Sequence, residues 1–340
     1  MLKIILLTIS FMLITCPAVV ARQVVDSAGR TVTLPDRISR VFPAGPPAAV
    51  MVYVVAPDKL LGWHREMSPA EKAFLLPEAG ELPVVGRLTG RGGTIEPAAL
   101  EALKPDLIID VGNIDERYVS LADRVQKETG IPYVLIDGSL TQTPESLQLM
   151  GTVLDVSPRA EKLASFAGPH FRSLAAHLGT LQPSERPRIY YGKGEDGLEP
   201  GFQASINTEW IELVGGTNVA TADGMEATAK VSVDQIREWD PQVIVAATPA
   251  FAEAVMENPE WSDITALRNG MVFQPPALPF GWLDQPPGIN RLIGLSWLKA
   301  KLFPARKAGN IRSEVHHFFK LFYQVDLSDR QMDQILGPAP

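Results

Sequence analysis

Two stretches of the sequence, one in each half of the chain, follow the same pattern. Residues 94–110 and residues 231–246 each contain a short helical segment, then a proline, then a run of branched apolar residues. The proline cannot continue a helix, and the apolar run has the composition of a buried strand. The repeat predicts two similar α/β lobes. Two lobes leave a cleft between them, and such clefts are where small ligands usually bind.

Size and composition are consistent with two domains. The chain has 340 residues, of which 46% are hydrophobic and 21% charged, enough for two packed cores. The formal net charge is −8, and Lys and Arg are scattered among Asp and Glu. Because a nucleic acid requires a clustered basic surface, the sequence argues against nucleic acid as the main partner.

The N-terminus has the pattern of a secretory signal peptide. Lys3 gives a basic start, residues 4–14 are almost wholly apolar, and small residues lead to Ala21, so we expect residues 1–21 to be removed. The apolar run is too short to span a bilayer comfortably. The alternative, a buried first helix, accounts less well for Lys3 and Ala21.

Cys16 is the only cysteine, so an intramolecular disulfide is excluded. Residues 13–16 also resemble a bacterial lipobox, in which the cysteine carries a lipid. Thr15 is unusual there, since Gly, Ala or Ser normally precedes that cysteine. A free periplasmic protein is therefore favoured over a lipid-anchored one.

Strands and helices alternate in both halves, which predicts mostly parallel sheets covered by helices. A hairpin at residues 24–35 precedes predicted strands at residues 40–42, 59–64, 84–86, 107–111, 133–136, 188–191, 243–247 and 270–273. Residues 143–178 contain only helical patterns, with a strong start at Thr143 and an expected kink or break at Gly168-Pro169. We therefore assign a first lobe to residues 22–142, a helical bridge to residues 143–180, and a second lobe with closing helices to residues 181–340.

These features together resemble a known family. The resemblance rests on residues 103–108, residues 215–220, residues 231–236 and the run at residues 290–295. In order and spacing they are similar to the periplasmic substrate-binding proteins of ABC importers for iron–siderophores, haem, cobalamin and related metal complexes, known as class III. The resemblance implies two α/β lobes joined by a long bridging helix. It also implies a monomer that delivers its ligand to an inner-membrane permease and its ATPase.

Family members often carry an acid on each lobe that pairs with arginines of the permease, seven positions before the repeated proline. That position is Asp234 in the second lobe and Ala98 in the first. Glu96 or Glu101 could substitute for Ala98, and we assign docking to Glu96 and Asp234. The alternative is that these are ordinary acids at helix N-termini, stabilised by the helix dipole.

Ligands of parallel sheets bind beyond the carboxyl ends of the strands, and five loops there carry suitable side chains. Arginines suit the oxygens of an anionic chelate, and aromatic rings suit its apolar rim. For each tryptophan taken singly, a packing role is the better explanation, and for the arginines a solvated surface role is a rival. The residues assigned to the ligand are Trp63, His64, Arg65, Arg87, Arg91, Tyr191, Lys193, Trp210, Phe280 and Trp282.

Two other motifs point to weaker possibilities. Gly192, Gly194 and Gly197 spell a dinucleotide fingerprint, but Pro200-Gly201 leaves no room for the helix that it requires. The histidines, including His170 and His177, lack metal-ligand spacing, so no protein-held metal and no cofactor is expected.

Three hypotheses remain. The first is a non-catalytic binding protein for a chelated metal, above all a ferric siderophore, with haem, cobalamin or a nickel chelate as alternatives. The second is a member of the same fold that binds molybdate or tungstate through Arg87, Arg91 and Lys193. The third is a periplasmic enzyme. The sequence argues against it, because it contains no nucleophile elbow, no reactive cysteine and no zinc-binding helix motif.

Overall fold

The computed structural model describes residues 22–90, 92–221, 229–305 and 309–338. The predicted signal peptide, Cys16 and Arg91 lie outside these residues. Across the described ranges, no helix has both the length and the apolar character needed to cross a bilayer.

The first lobe contains the predicted hairpin and a parallel sheet. Strands β1 (Arg22–Val25) and β2 (Thr31–Leu34) form the antiparallel hairpin. The sheet has the order β3 (Val41–Pro43), β4 (Leu107–Gly112), β5 (Tyr133–Asp137), all parallel. The helices of this lobe are α1 (Pro46–Val55), α2 (Pro69–Lys72), α3 (Pro77–Gly80), α4 (Pro97–Leu103) and α5 (Glu116–Thr129).

The strand predicted at residues 59–64 is not formed. A 3₁₀ turn covers Pro57–Lys59, and Leu60 and Trp63 make only isolated bridges, to Val41 and Val84. The backbone N–H of Trp63 donates to the carbonyl oxygen of Pro83 at 2.9 Å. Because Pro83 has no N–H to donate, the pairing of Trp63 with Val84 cannot extend back toward residue 61.

Two helices follow the first sheet, α6 (Thr143–Leu154) and α7 (Ser157–Leu178). They approach closely, since a Cβ on Gly151 would lie 2.4 Å from the Cβ of Ala160. Of the kink or break predicted at Gly168-Pro169, the break is wrong, because α7 continues through Pro169 as the long bridging helix. Buried residues on both sides of the proline, Leu163 and Leu174 among them, anchor the helix and offset the lost hydrogen bond.

The second lobe has a mixed sheet whose central strand is β6 (Arg188–Lys193). It pairs antiparallel with β7 (Glu199–Pro200) and parallel with β8 (Thr217–Asn218) and β9 (Val243–Ala246), and β9 pairs parallel with β10 (Val272–Phe273). The helices are α8 (Glu209–Leu213), α9 (Val233–Trp239), α10 (Pro249–Glu257), α11 (Thr265–Arg268), α12 (Arg291–Leu302), α13 (Ile311–Phe318) and α14 (Asp329–Leu336), with a π-helical segment at Phe319–Tyr323. The predicted fold class is thus confirmed.

The two repeated units have the same local structure. Helix α4 leads into β4, and α9 leads into β9. Each helix ends in a residue with left-handed backbone conformation, Lys104 with φ 47° and Asp240 with φ 37°, directly before the proline. The repeat in the sequence is therefore a repeat in three dimensions.

The closing helices pack against the first lobe. The hydroxyl of Tyr53 donates to the carbonyl oxygen of Tyr323 at 3.0 Å, and Gln331 Nε2 donates to the carbonyl oxygen of Ala73 at 2.7 Å. Arg159 of α7 donates to the carbonyl oxygens of residues 321 and 322 at 3.2 and 3.1 Å. The end of the chain thus ties the second lobe and the bridging helix to the first lobe.

Candidate functional site

A cavity of about 200 Å³ lies between the two lobes. The first lobe contributes Arg65 and Glu71 to its lining, and the second contributes Tyr191, Ala247 and most of the loop at residues 275–285. Tyr191 lies near the end of β6 and Ala247 directly follows β9. The cavity therefore lies at the carboxyl ends of the strands, where ligands of parallel sheets bind.

Three aromatic residues border one side of the cavity. Of the residues assigned to the ligand, Tyr191, Phe280 and Trp282 line it directly. Trp63 and Trp210 are buried behind them, with ring centroids 5.5 Å from Phe280 and 5.3 Å from Tyr191. The structure thus places these two tryptophans as support for the residues that border the cavity.

The supporting tryptophans have their polar atoms satisfied within the protein. Trp63 Nε1 donates to the carbonyl oxygen of Ala79, and Trp210 Nε1 donates to that of Asn207, both at 2.7 Å. Neither indole N–H is therefore directed at the cavity. Rigid support of this kind reduces the entropy that is lost when a ligand binds.

Arg65 brings positive charge to the cavity. Its two terminal nitrogens donate to the carboxylate of Glu71 at 3.0 and 2.5 Å, and Nη1 also donates to the carbonyl oxygen of Glu66 at 2.9 Å. Glu71 itself accepts from the backbone N–H of Ser68 as part of a capping box. These contacts hold the guanidinium in place.

His64 lies close to two of the assigned arginines. Burial and the neighbouring charges of Arg65 and Arg87 lower its pKa to about 4. Its imidazole is therefore neutral at physiological pH, and its Nδ1 is buried without a hydrogen-bond partner. His64, Arg65 and Arg87 thus form one group at the first-lobe side of the cleft.

The loop that carries Arg87 is fixed to the loop after β3. The backbone N–H groups of Leu88 and Thr89 both donate to the carbonyl oxygen of Ala44, at 2.7 and 2.9 Å. A Cβ on Gly45 would lie 2.5 Å from the Thr89 hydroxyl, so only glycine allows this approach. Arg87 Nε donates to the carbonyl oxygen of Gly92 at 2.9 Å.

Asp284 is a cavity residue that the sequence analysis missed. Its side chain accepts hydrogen bonds from the hydroxyl of Tyr191 at 3.0 Å, from Asn207 Nδ2 at 2.7 Å and from the backbone N–H of Gln285 at 2.8 Å. Burial raises the pKa of this carboxyl, and the nearby charge of Lys193 acts in the opposite direction. Asp284 lies two residues after Trp282, and this nearness to an assigned residue was the only indication in the sequence that Asp284 could lie at the site.

A tight turn positions Asp284. The backbone N–H of Gly281 donates to the carbonyl oxygen of Gln285 at 3.3 Å. A Cβ on Gly281 would lie 1.8 Å from the carbonyl oxygen of Asp284, so this position requires glycine. The turn brings the carboxyl of Asp284 to the cavity beside Phe280 and Trp282.

The two assigned docking acids are both exposed. Glu96 precedes α4, and Asp234 is in the first turn of α9, where it forms an ion pair with Arg237. Residues 104–106 and residues 240–242 reverse the chain between each helix and its strand. The start of each helix therefore lies at the same end as the carboxyl end of the strand, beside the cleft.

The weaker motifs do not form sites. After Gly197 the chain enters strand β7, so no helix follows the glycines and the dinucleotide fingerprint is excluded. His170 and His177 lie on α7. Within the part of the chain that the structure describes, no three His, Cys, Asp or Glu side chains are grouped so that they could hold a metal ion.

The fold and the cleft agree with a comparison against known families. The family described as periplasmic binding protein matches residues 70–277, more than half of the 340-residue chain. The chain belongs to this family. The resemblance inferred from the sequence motifs is thereby confirmed.

Curated relatives extend over most of the chain. The molybdate-binding protein MolA of Haemophilus influenzae is 23% identical over 336 residues, which cover 90% of this chain and 92% of MolA. The vitamin B12-binding protein of Vibrio cholerae is 26% identical over 262 residues, covering 74% of this chain and 87% of that protein.

Solved structures share the fold. An ABC transporter solute binding protein from Sulfurospirillum deleyianum superposes with a TM-score of 0.84 at 28% identity, covering 93% of this chain and 99% of that one. MolA of Haemophilus influenzae bound to molybdate superposes with a TM-score of 0.74 at 21% identity, covering 90% of this chain and 99% of MolA. Helicobacter pylori CeuE with Ni(II) bound superposes with a TM-score of 0.68 at 18% identity, covering 92% of this chain and 98% of CeuE. These proteins have the class III architecture.

Proposed function

We propose that this periplasmic binding protein of an ABC transporter captures a small oxyanion of the molybdate or tungstate type in the cavity between its lobes. The observation that carries the proposal is the guanidinium of Arg65, which its contacts with Glu71 and Glu66 hold at the lining of the cavity. A tetrahedral oxyanion accepts hydrogen bonds from such a group and fits a cavity of about 200 Å³.

Three cations lie at or near the cavity. Arg65 lines it and is paired with Glu71, Arg87 lies near His64, and Lys193 lies near Asp284. Guanidinium groups donate to oxyanions through a planar fork, and such charge-assisted hydrogen bonds are stronger than neutral ones.

The similarity to MolA supports the same ligand class, because that relative is named for molybdate and matches 90% of this chain. The ferric siderophore that the sequence favoured stays a prediction, and the similarity to MolA ranks it below an oxyanion. We also infer that the protein is a monomer without catalytic activity or cofactor.

Delivery requires contact with the permease and its ATPase. We infer that Glu96 and Asp234 make this contact, because both are exposed beside the cleft, one on each lobe. We infer further that residues 1–21 direct secretion and are cleaved after Ala21. Lipid attachment at Cys16 is the alternative, and the mass of the mature N-terminus distinguishes the two.

Isothermal titration calorimetry with a ligand panel tests the proposal. The panel contains molybdate, tungstate, sulfate, a ferric hydroxamate, a ferric catecholate, haem, cobalamin and nickel–histidine. We expect saturable binding of molybdate and tungstate. We expect the joint variant R87A/R91A to bind at least about tenfold more weakly, since each hydrogen bond to a charged group contributes about 1.5–3 kcal/mol.

The matched control is R124A, which removes an exposed arginine on α5. It should bind as the wild type does. Saturable binding of a siderophore, haem or cobalamin without binding of any oxyanion would overturn the assignment of the ligand. Turnover of a bound compound would overturn the non-catalytic role.

A further inference from the structure

The two carboxyl oxygens of Asp284 accept different numbers of hydrogen bonds. Its Oδ1 accepts from Asn207 at 2.7 Å and from the backbone N–H of Gln285 at 2.8 Å. Within the part of the chain that the structure describes, its Oδ2 accepts only from the hydroxyl of Tyr191, at 3.0 Å. Oδ1 therefore has both lone pairs in use, whereas Oδ2 retains one further position, and the residue lines the cavity.

An ionised Asp284 conflicts with an anionic ligand in so small a space. The residue is 6% exposed, so water screens its charge poorly. A carboxylate can only accept hydrogen bonds, and a fully deprotonated oxyanion can also only accept them. The two groups would repel each other, and neither could supply a proton to the contact.

The charged and titratable groups around Asp284 leave its environment unfavourable for a carboxylate. Lys193, at the end of β6, is the cation whose charge lowers the pKa of Asp284. The charge of Arg291 on α12 also interacts with Asp284, but Arg291 forms an ion pair with Glu209 at 2.6 Å.

The remaining neighbours add little positive charge that could stabilise an ionised Asp284. Across the cavity, Arg65 forms an ion pair with Glu71 at 2.5 Å. Tyr191 is neutral. Burial is the dominant effect on Asp284, and its pKa is raised.

We propose that Asp284 carries a proton on Oδ2 when the oxyanion is bound and donates it to an oxygen of the ligand. The proposal rests on the proposed function and assigns the ligand class more narrowly. A protonated carboxyl is a donor, so it selects tetrahedral oxyanions that are fully deprotonated at neutral pH over those that keep their own proton. All three hydrogen bonds to Asp284 persist, because a protonated Oδ2 still accepts from Tyr191.

Difference infrared spectroscopy of the molybdate-bound protein detects this proton directly. We expect a carbonyl band of a protonated carboxyl in the wild type, which shifts on ¹³C-labelling of aspartate and is absent from D284N. A bound protein without such a band overturns the proposal. The wild-type measurement stands by itself if D284N does not fold.

The pH dependence of affinity provides a second readout. Above the pKa of Asp284 in the free protein, binding takes up a proton, so the wild-type association constant falls by up to about tenfold per pH unit as pH rises. We expect D284N, which keeps an N–H donor at this position, to bind with an affinity that is independent of pH between pH 6.5 and 9. The control D263N changes an exposed acid and should follow the wild type.

The outcomes separate this proposal from the proposed function. If the wild type binds neither molybdate nor tungstate, the proposed function fails. If it binds them without the infrared band, the proposed function stands and the role of Asp284 fails.

Discussion

Asp110 on β4 is a buried acid that is not among the residues lining the cavity. It is 4% exposed and accepts hydrogen bonds from the hydroxyls of Thr89 at 3.0 Å and Tyr133 at 3.2 Å. Burial raises its pKa to about 6 from an ordinary value of 3.8. Because Thr89 belongs to the loop that carries Arg87, this acid contributes to the position of a candidate ligand residue.

Asp110 should make the stability of the protein depend on pH. The pKa of Asp110 is higher in the folded than in the unfolded protein. Its contribution to the free energy of unfolding is therefore fully present below pH 3.8 and is lost as pH rises through about 6. A difference of about two between these pKa values corresponds to about 3 kcal/mol. Urea unfolding of the wild type and D110N at pH 4, 5, 6 and 7 should show wild-type stability falling relative to the variant by up to that amount.

The exposed acid Asp263 provides the control for this measurement, since D263N should keep the pH profile of the wild type. Parallel stability profiles for wild type and D110N across the whole pH range would contradict the assigned role of burial.

Helices α4 and α9 are the two elements that the repeat places on equivalent sides of the lobes. Both have an exposed acid at or next to the first turn, Glu96 and Asp234. They differ locally, because Asp234 pairs with Arg237 in its own helix, whereas Glu96 precedes a helix with no acid in its first turn. An arginine of the permease would therefore have to displace Arg237 to pair with Asp234.

Removal of these acids should weaken docking to the permease. We expect E96A and D234A each to raise the binding-protein concentration that half-stimulates ATPase activity of the reconstituted importer, by roughly three- to tenfold, because charge pairs at the rim of an interface mainly affect association. Binding of the oxyanion should not change. The control is E238A, which removes an exposed acid at the other end of α9. Stimulation of the importer by E96A/D234A at wild-type concentrations would exclude docking through these residues.

At the scale of the whole molecule, a buried ion pair connects the two lobes. Arg291 on α12 is 2% exposed and donates to Glu209 at 2.6 Å, to the carbonyl oxygen of Ile206 at 2.8 Å and to that of Gly138 at 2.5 Å. Glu209 also accepts from the backbone N–H of Leu140 at 2.8 Å. Because Gly138 and Leu140 follow β5 of the first lobe, this pair holds the lobes together beside the cleft.

Loss of Arg291 should destabilise the protein strongly. Truncating one partner of a buried ion pair costs about 3–5 kcal/mol, and because Glu209 is partly exposed the cost here should lie at the lower end of this range. We expect the free energy of unfolding of R291M, measured in guanidinium chloride, to fall by about this amount. In R291M/E209Q part of the loss should be recovered.

The matched control for R291M is K72M, which breaks the ion pair between Lys72 and Glu81 on the surface, where the cost is about 1 kcal/mol or less. Equal losses of stability in R291M and K72M would show that the interlobe pair has no special role.

The elements were predictable where their signals are local. Strands β4 and β9 follow from branched apolar runs, so these predictions were confirmed. The strand at residues 59–64 was wrong because it depended on Pro83, a partner outside the segment. The break at Pro169 was wrong because packing on both sides of it supports the helix.

The sequence by itself determined the two-lobed fold and the five loops that could meet a ligand, because capping, hydrophobic period and the repeat are properties of neighbouring residues. Only the tertiary structure decided which side chains reach the cavity. Tyr191, Phe280 and Trp282 line it, whereas Trp63 and Trp210 support them from behind. Asp284 and the pair of Glu209 with Arg291 emerged only there, because their partners are distant in sequence and burial depends on all of them together.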